Sequence, residues 1–325
     1  MNKRLLIVLI SIIISLTNTS AFSNNYEKTD RIVKCYPSSI SNPDQLVKLI
    51  NRDFELPEDK ARAVYTWIAT NIDYDIKALK TGRKIIHYMY FSDAEKVYRE
   101  QKIMEELVIR TLSEGVATCQ GYSTLFKHLC DLIPLECVVI TGISKTRKSD
   151  IGNISATNNH SWNAVKIDEG WKLIDVTWGA GYLNENSDKF IPAFNDNFFF
   201  ASPARFYLNH YPDDQSGLIS TMARETFVNL PLYYPGFNKS YIEVAEPETG
   251  IIKVSKKGYI DLSLKNITNE SVSIKFDNEK NGVIVYPEIK DQYLYYEIPY
   301  KKNENTYMTV FINNASFVTL KIQRR

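Results

Sequence analysis

Cys119, His160 and Asp175 place a thiol, an imidazole and a carboxylate in that order along one chain. Together these types can form a relay, in which the imidazole takes the thiol proton and the carboxylate orients the imidazole. Only four cysteines and four histidines occur among 325 residues, so chance trios are few. Each residue also stands in a local sequence able to hold it still. Cys119 opens the amphipathic run Cys119-Gln120-Gly121-Tyr122-Ser123-Thr124-Leu125-Phe126, His160 begins a strand-like stretch, and Asp175 sits in the next one.

The thiolate is the working nucleophile, so the pKa of a catalytic cysteine must be lowered. A helix start does this through its free N–H groups and dipole. Tyr122, Leu125, Phe126, Leu129, Leu132 and Ile133 predict one apolar face of a helix beginning near Cys119 and stopped by Pro134. Gly115 tolerates a tight approach upstream, and Gly121 marks close packing just inside the helix. The Cys119 N–H is a natural oxyanion donor; Trp67 and Tyr74 are candidates for a second, with nothing in the sequence to choose between them. A lone cysteine at a helix start is more often a buried structural residue. His160 and Asp175 shift that balance.

They flank the turn signal Asp168-Glu169-Gly170, between strands expected over 160–167 and 171–176. A tight turn on Asp168-Glu169 sets Ile167 opposite Gly170, Asp175 opposite Trp162 and His160 opposite Thr177. Asp175 is then a diagonal neighbour of His160 on one sheet face. A slip of one residue would send the carboxylate to the other face. Among the remaining histidines, His128 falls at the edge of the Cys119 helix, while His87 and His210 lie in aromatic surroundings that favour packing. Trp162, Trp171 and Trp178 surround the hairpin and are expected to fill core or line a cleft.

The flanking elements order themselves around this centre. Few periodic signals appear over 25–55, a lead-in to the domain. Pro57-Glu58-Asp59 starts a helix that places Val64, Trp67, Ile68 and Ile72 at helical spacing. A charged helix is expected over 93–110, a buried strand over 137–143 and a polar loop over 144–159. Helices followed by an antiparallel sheet make this an α+β region. From about 245 the pattern becomes clean alternation: Ile260/Leu262/Leu264, Val272/Ile274/Phe276, Val283/Val285, Met308/Val310/Ile312 and Val318/Leu320/Ile322. Turns at 278–282 and Asn313-Asn314 separate these runs, which predicts an immunoglobulin-like β-sandwich. The expected division is a signal peptide over 1–23, a catalytic domain over 24–240 and the sandwich over 241–325.

Composition narrows the function. An apolar fraction of 44% and a charged fraction of 24% describe an ordinary globular protein. A net charge of +1 provides no global attraction to nucleic acid or anionic membrane. Lys3 and Arg4, the apolar run Leu5 to Leu16 and the small residues through Ser23 follow the order of a cleaved secretory signal. That run is shorter than the ~20 residues a membrane span needs. Export to a periplasmic, secreted or cell-surface location is therefore expected, without stable membrane insertion after cleavage. Cys130 and Cys137 fit small buried hydrophobes, and a bridge between them stays open. There is no C-x-x-C, no paired histidine and no EF-hand-like loop, so no metal or cofactor is expected.

Four sets of motifs then resemble the transglutaminase-like superfamily, which is related to the papain-like cysteine proteases. They are Ala63-Val64-Tyr65-Thr66-Trp67-Ile68 with Asn71-Ile72-Asp73-Tyr74-Asp75, then Gly115-Val116-Ala117-Thr118-Cys119-Gln120-Gly121-Tyr122, then His160-Ser161-Trp162-Asn163-Ala164-Val165, then Trp171 through Trp178. Phe198 to Pro203, His210-Tyr211-Pro212 and Pro231 to Pro235 look like its kyphoscoliosis-peptidase branch. Ala117-Thr118 departs from the shorter Gly-Val-Cys run of many relatives. The resemblance implies a nucleophile helix packed on an antiparallel sheet, with Cys119 as nucleophile, His160 as base and acid, and Asp175 as orienting group. It implies a protein or peptide substrate and a thioester intermediate but does not choose a reaction; hydrolysis is expected over cross-linking, because water is always available and no acyl-acceptor pocket can be read in the sequence. A catalytically inactive binding protein is the alternative, since the superfamily includes such members.

Overall fold

The computed structural model describes residues 26–82, 92–153, 157–184, 188–213, 222–235, 237, 241–255 and 258–324. The signal segment expected over 1–23 and the packing expected of His87 lie outside these residues.

Three helices open the fold: α1 (Glu27–Val33), α2 (Pro43–Asp53) and α3 (Pro57–Asn71). The first two fill the lead-in over 25–55, where the sequence shows few periodic signals. The signal for α2 is short but physical: Asn42 caps it by accepting from the Asp44 N–H at 2.8 Å, Pro43 fits the first turn, and Leu46, Val47 and Ile50 are buried. Buried Arg62 of α3 makes a bidentate pair with Asp30 of α1 at 2.8 and 2.7 Å and also meets Asp196. This ties the helices to the loop behind the candidate site.

Strand β1 (Asp73–Tyr74) leads through α4 (Ile76–Thr81) to the long helix α5 (Asp93–Glu114). Gly115 ends α5 at φ +64°, a left-handed position that glycine takes without steric cost. The chain then runs as β2 (Val116–Ala117), parallel to β1, into α6 (Cys119–Leu132). Tyr122, Leu125, Phe126, Leu129 and Ile133 are buried, whereas Leu132 is 37% exposed and does not belong to the packed face. A Cβ on Gly121 would stand 2.7 Å from Ala117 Cβ and 2.9 Å from Thr111 Oγ1, so glycine here lets α6 lie close against α5 and β2.

Helix α6 packs on a five-stranded antiparallel sheet ordered β8-β5-β4-β3-β9. Its strands are β3 (Cys137–Ser144), β4 (His160–Ile167), β5 (Gly170–Ile174), β8 (Phe199–Ala201) and β9 (His210–Pro212). The β4–β5 register sets Ile167 opposite Gly170 and Asn163 opposite Ile174, with Asp168 at φ +52° in the turn. This is the pairing that a turn on Asp168-Glu169 requires. The strand expected to run to Val176 ends at Ile174, because Asp175 caps a short helix, α7 (Val176–Ala180). The small pair β6 (Gly181–Leu183) and β7 (Phe190–Pro192) follows before β8. Helix α8 (Pro203–Phe206) precedes β9, and α9 (Arg224–Asn229) follows it.

Two further sheets enclose one apolar core towards the C-terminus. One contains β10 (Leu232–Tyr233), β12 (Ile251–Lys253), β14 (Val272–Phe276), β15 (Val283–Ile284), β18 (Thr306–Ile312) and β19 (Ala315–Gln323); the other contains β11 (Glu243–Glu246), β13 (Tyr259–Lys265), β16 (Glu288–Lys290) and β17 (Tyr293–Pro299). The alternating residues of β13, β14, β18 and β19 are buried, as their period of two demands. Val283, by contrast, is half exposed on the edge strand β15. Strand β10 joins this sheet from a position N-terminal to 241. Among the described residues, no helix is long and apolar enough to cross a membrane.

Candidate functional site

The end of α5, β2 and the α6 start bring Cys119 to the head of its helix, where the first N–H groups have no partner inside the helix. The thiol is partly exposed, and the His160 ring is close enough to hold its pKa down. On the other side of the ring, His160 Nε2 lies 2.7 Å from Asp175 Oδ2. The three residues spread over 57 positions thus form a continuous chain of contacts.

Asp175 is wholly buried and uses both oxygens. Oδ1 accepts from the Trp178 N–H at 3.0 Å as the N-cap of α7, while Oδ2 faces the histidines. Its own N–H donates to Phe198 O at 2.9 Å, where β5 leaves the sheet. The early end of β5 aims the carboxylate: continued as a strand, residue 175 would only flank His160 diagonally.

His210 also enters the site, where the sequence supported only a packing role. Its Nε2 lies 2.9 Å from the same Oδ2, and its Nδ1 lies 3.1 Å from Phe206 O. The ring stacks on Phe206 at 4.0 Å and meets Trp178 at 4.5 Å, so the aromatic surroundings are real as well. Thirty-five residues separate His210 from Asp175, and β9 reaches the site by pairing Ser144 with His210 across β3. Gly142 makes this possible, because a Cβ there would fall 2.2 Å from Tyr211 O and 2.6 Å from the Trp162 ring. The histidine rings come within 5.4 Å of each other across this position. The motif His210-Tyr211-Pro212 marks this stretch in the sequence but assigns the histidine no role.

The electrostatics follow from burial and pairing. Burial alone would push the Cys119 thiol up, but hydrogen bonds from His160 and Ser161 outweigh it and hold the thiol below its ordinary value. Burial works against a charged His160, yet the Asp175 carboxylate raises it to about 10. Despite its own burial, Asp175 is held well below the usual carboxylate range by the two histidines. His210 is pushed down by burial. The arrangement therefore favours a thiolate beside an imidazolium.

Donor atoms of His160, Asp175 and His210 lie within 4.8 Å of one another, the one metal-like cluster among the described residues. Their present spacing is that of hydrogen bonds to a shared oxygen, and a cation would have to displace the ring protons. Trp67 Nε1 is committed to Pro37 O at 2.9 Å, which removes it as an oxyanion donor. Tyr74 lies close enough to Cys119 for charge on sulfur to raise its phenol further, after burial. His128 is partly exposed on α6. Cys130 and Cys137 are buried free thiols.

Residues 44–176, from α2 to the start of α7, match the model of the transglutaminase-like superfamily and include all three residues of the contact chain. This stretch is a transglutaminase-like domain. Among curated proteins, the kyphoscoliosis peptidase of Homo sapiens is 28% identical over 242 residues, covering 74% of this chain and 34% of the relative. Its Mus musculus counterpart is 28% identical over 66% of this chain and 30% of its own length. Lim and transglutaminase domain protein ltd-1 of Caenorhabditis elegans is 26% identical over 62% of this chain and 26% of its own length. These matches support the kyphoscoliosis-peptidase-like branch, although this chain spans only about a third or less of each relative.

Proposed function

We propose that the protein is an exported thiol enzyme that cleaves amide bonds in a protein or peptide substrate. The observation that carries this reading is the contact chain from the Cys119 thiol through His160 to buried Asp175, with the thiol at a helix start. The Cys119 thiolate attacks the amide carbonyl carbon, and the resulting oxyanion is held by the Cys119 N–H with the Tyr74 hydroxyl as second donor. Collapse breaks the carbon–nitrogen bond, and His160 gives its proton to the departing amine. Water then attacks the thioester, His160 takes one of its protons, and the acid leaves as the thiol is restored. Asp175 keeps its charge throughout and stabilises the imidazolium.

Export is supported by the basic, apolar and small-residue order of residues 1–23. We take the alternating strands over 241–325 as an immunoglobulin-like module accompanying a catalytic domain over 24–240. The test is to incubate the protein and its Cys119→Ala variant with glutamine-containing peptides, with and without a labelled primary amine, and to weigh the products. Cys119-dependent gain of water, with little amine incorporated, is expected. Incorporation outrunning hydrolysis would make the protein a cross-linking enzyme. Unchanged peptides and no thioester on Cys119 would leave an inactive binding protein.

A further inference from the structure

Asn209 stands immediately before His210 and takes no part in the contact chain above. It is buried, and its side-chain amide reaches Tyr233 of β10. The amide NH₂ donates to Tyr233 O at 2.6 Å, and the amide oxygen accepts from the Tyr233 N–H at 3.3 Å.

The sheet that holds β10 explains why these backbone groups are on offer. Strand β10 lies at the edge of that sheet and pairs with β19. Tyr234 donates to Phe317 O at 3.0 Å across the pairing. Backbone groups alternate sides along an antiparallel strand, so Tyr233, one residue earlier, turns its N–H and C=O away from β19. A carboxamide both donates and accepts, so Asn209 serves the two groups where a further strand would stand.

Neighbouring contacts fix the same junction. The Asn209 carbonyl accepts from the Lys145 N–H at 2.9 Å, next to the Ser144–His210 pairing. Lys145 Nζ, itself buried, donates to Phe227 O at 2.8 Å and to Leu230 O at 2.6 Å. Lys145 and Asn209 thus grip the run 227–233 where it enters the C-terminal sheet. One residue further on, the His210 imidazole meets Asp175 at 2.9 Å. Only two soft dihedrals separate the Asn209 and His210 Cα atoms, so a shift of one reaches the other.

We propose that Asn209 is a positioning residue, which seats His210 against Asp175 by locking the start of β9 to Tyr233, so that the C-terminal sheet completes the site. This rests on the reading of Cys119, His160 and Asp175 as a working relay.

The test is steady-state hydrolysis of glutamine-containing peptides by the full chain and its variants. Asn209→Ala should lower kcat by about three- to tenfold, the worth of about one neutral hydrogen bond, with KM unchanged. Asn209→Asp keeps the shape and the acceptor but loses the 2.6 Å donor, and should lose kcat as alanine does. In the His210→Phe background, Asn209→Ala should cost little further kcat, because the two residues act in series. Lys148→Ala breaks the 2.6 Å ion pair with Asp277, a second tie to the C-terminal sheets, and should leave kcat unchanged. Thermal melts of each variant confirm the fold, and Asn209→Asp carries the comparison if alanine is not tolerated. Wild-type kcat in Asn209→Asp overturns the proposal, as does a fully additive loss in the double variant or an equal loss in Lys148→Ala. No Cys119-dependent hydrolysis by wild type would instead sink the enzyme reading, and the role of Asn209 with it.

Discussion

His210 and Asp175 share a buried hydrogen bond of 2.9 Å to the same carboxylate oxygen that His160 uses at 2.7 Å. One oxygen thus accepts two imidazole donors, while the other caps α7. The carboxylate is fixed on every side by groups from β4, β9 and α7.

His210→Phe keeps the ring that stacks on Phe206 and deletes the donor. Asp175 then loses one of its buried partners, at a cost of about 1–3 kcal/mol. The melting temperature should fall by several degrees, and peptide turnover by about tenfold. A variant as stable and active as wild type would show that the third nitrogen contact has no role.

Asp175→Asn is almost isosteric but cannot serve both sets of donors. If its amide oxygen accepts from the Trp178 N–H, its NH₂ confronts the rings of His160 and His210. The flipped amide loses the cap instead. Turnover should fall by about two to four orders of magnitude, and the His160 titration seen by NMR should move down from about 10 towards its ordinary 6.5. An unchanged His160 titration would contradict the assigned pairing.

Gly142→Ala tests the geometry without touching a titratable group. Its Cβ would lie 2.2 Å from the backbone oxygen of Tyr211, so β9 must shift and carry His210 with it. A loss of about 1–3 kcal/mol in urea melts is expected, with turnover falling as in His210→Phe. Full stability would mean that β9 yields freely.

The pH dependence of stability has a defined sign. His160 is raised from 6.5 to about 10, so its contribution is complete below about 6.5 and lost as pH rises through about 10. Asp175 is depressed from 3.8, so its contribution is complete above about 4 and lost as pH falls through its lower folded value. Urea melts should therefore weaken on the alkaline side between those His160 limits. His160→Gln should flatten that alkaline slope; an identical slope would assign it to other groups.

The local features of the site were legible because they depend on near neighbours in sequence. Helical spacing and Pro134 place α6 with Cys119 at its head, and the Asp168-Glu169 turn sets the pairing of β4 with β5. Leu132 falls outside the packed face, because periodicity marks a stripe but not where the packed surface stops. The helix α2 is hard to read from periodicity, because it is only eleven residues long, although Asn42, Pro43 and three buried apolar residues support it.

The sequence by itself determined which residues carry the thiol, imidazole and carboxylate, and which local elements hold them. It could not decide that β5 ends one residue before Asp175, since the chain there reads equally well as strand. Docking of Phe198 and the capping of α7 made that choice, and with it the aim of Asp175. Nor could it bring His210 to Asp175, because that contact forms through the β3–β9 pairing across a glycine. Short-range propensities specify helices and turns; the choice among distant partners for a buried charge is made only when the whole core closes around it.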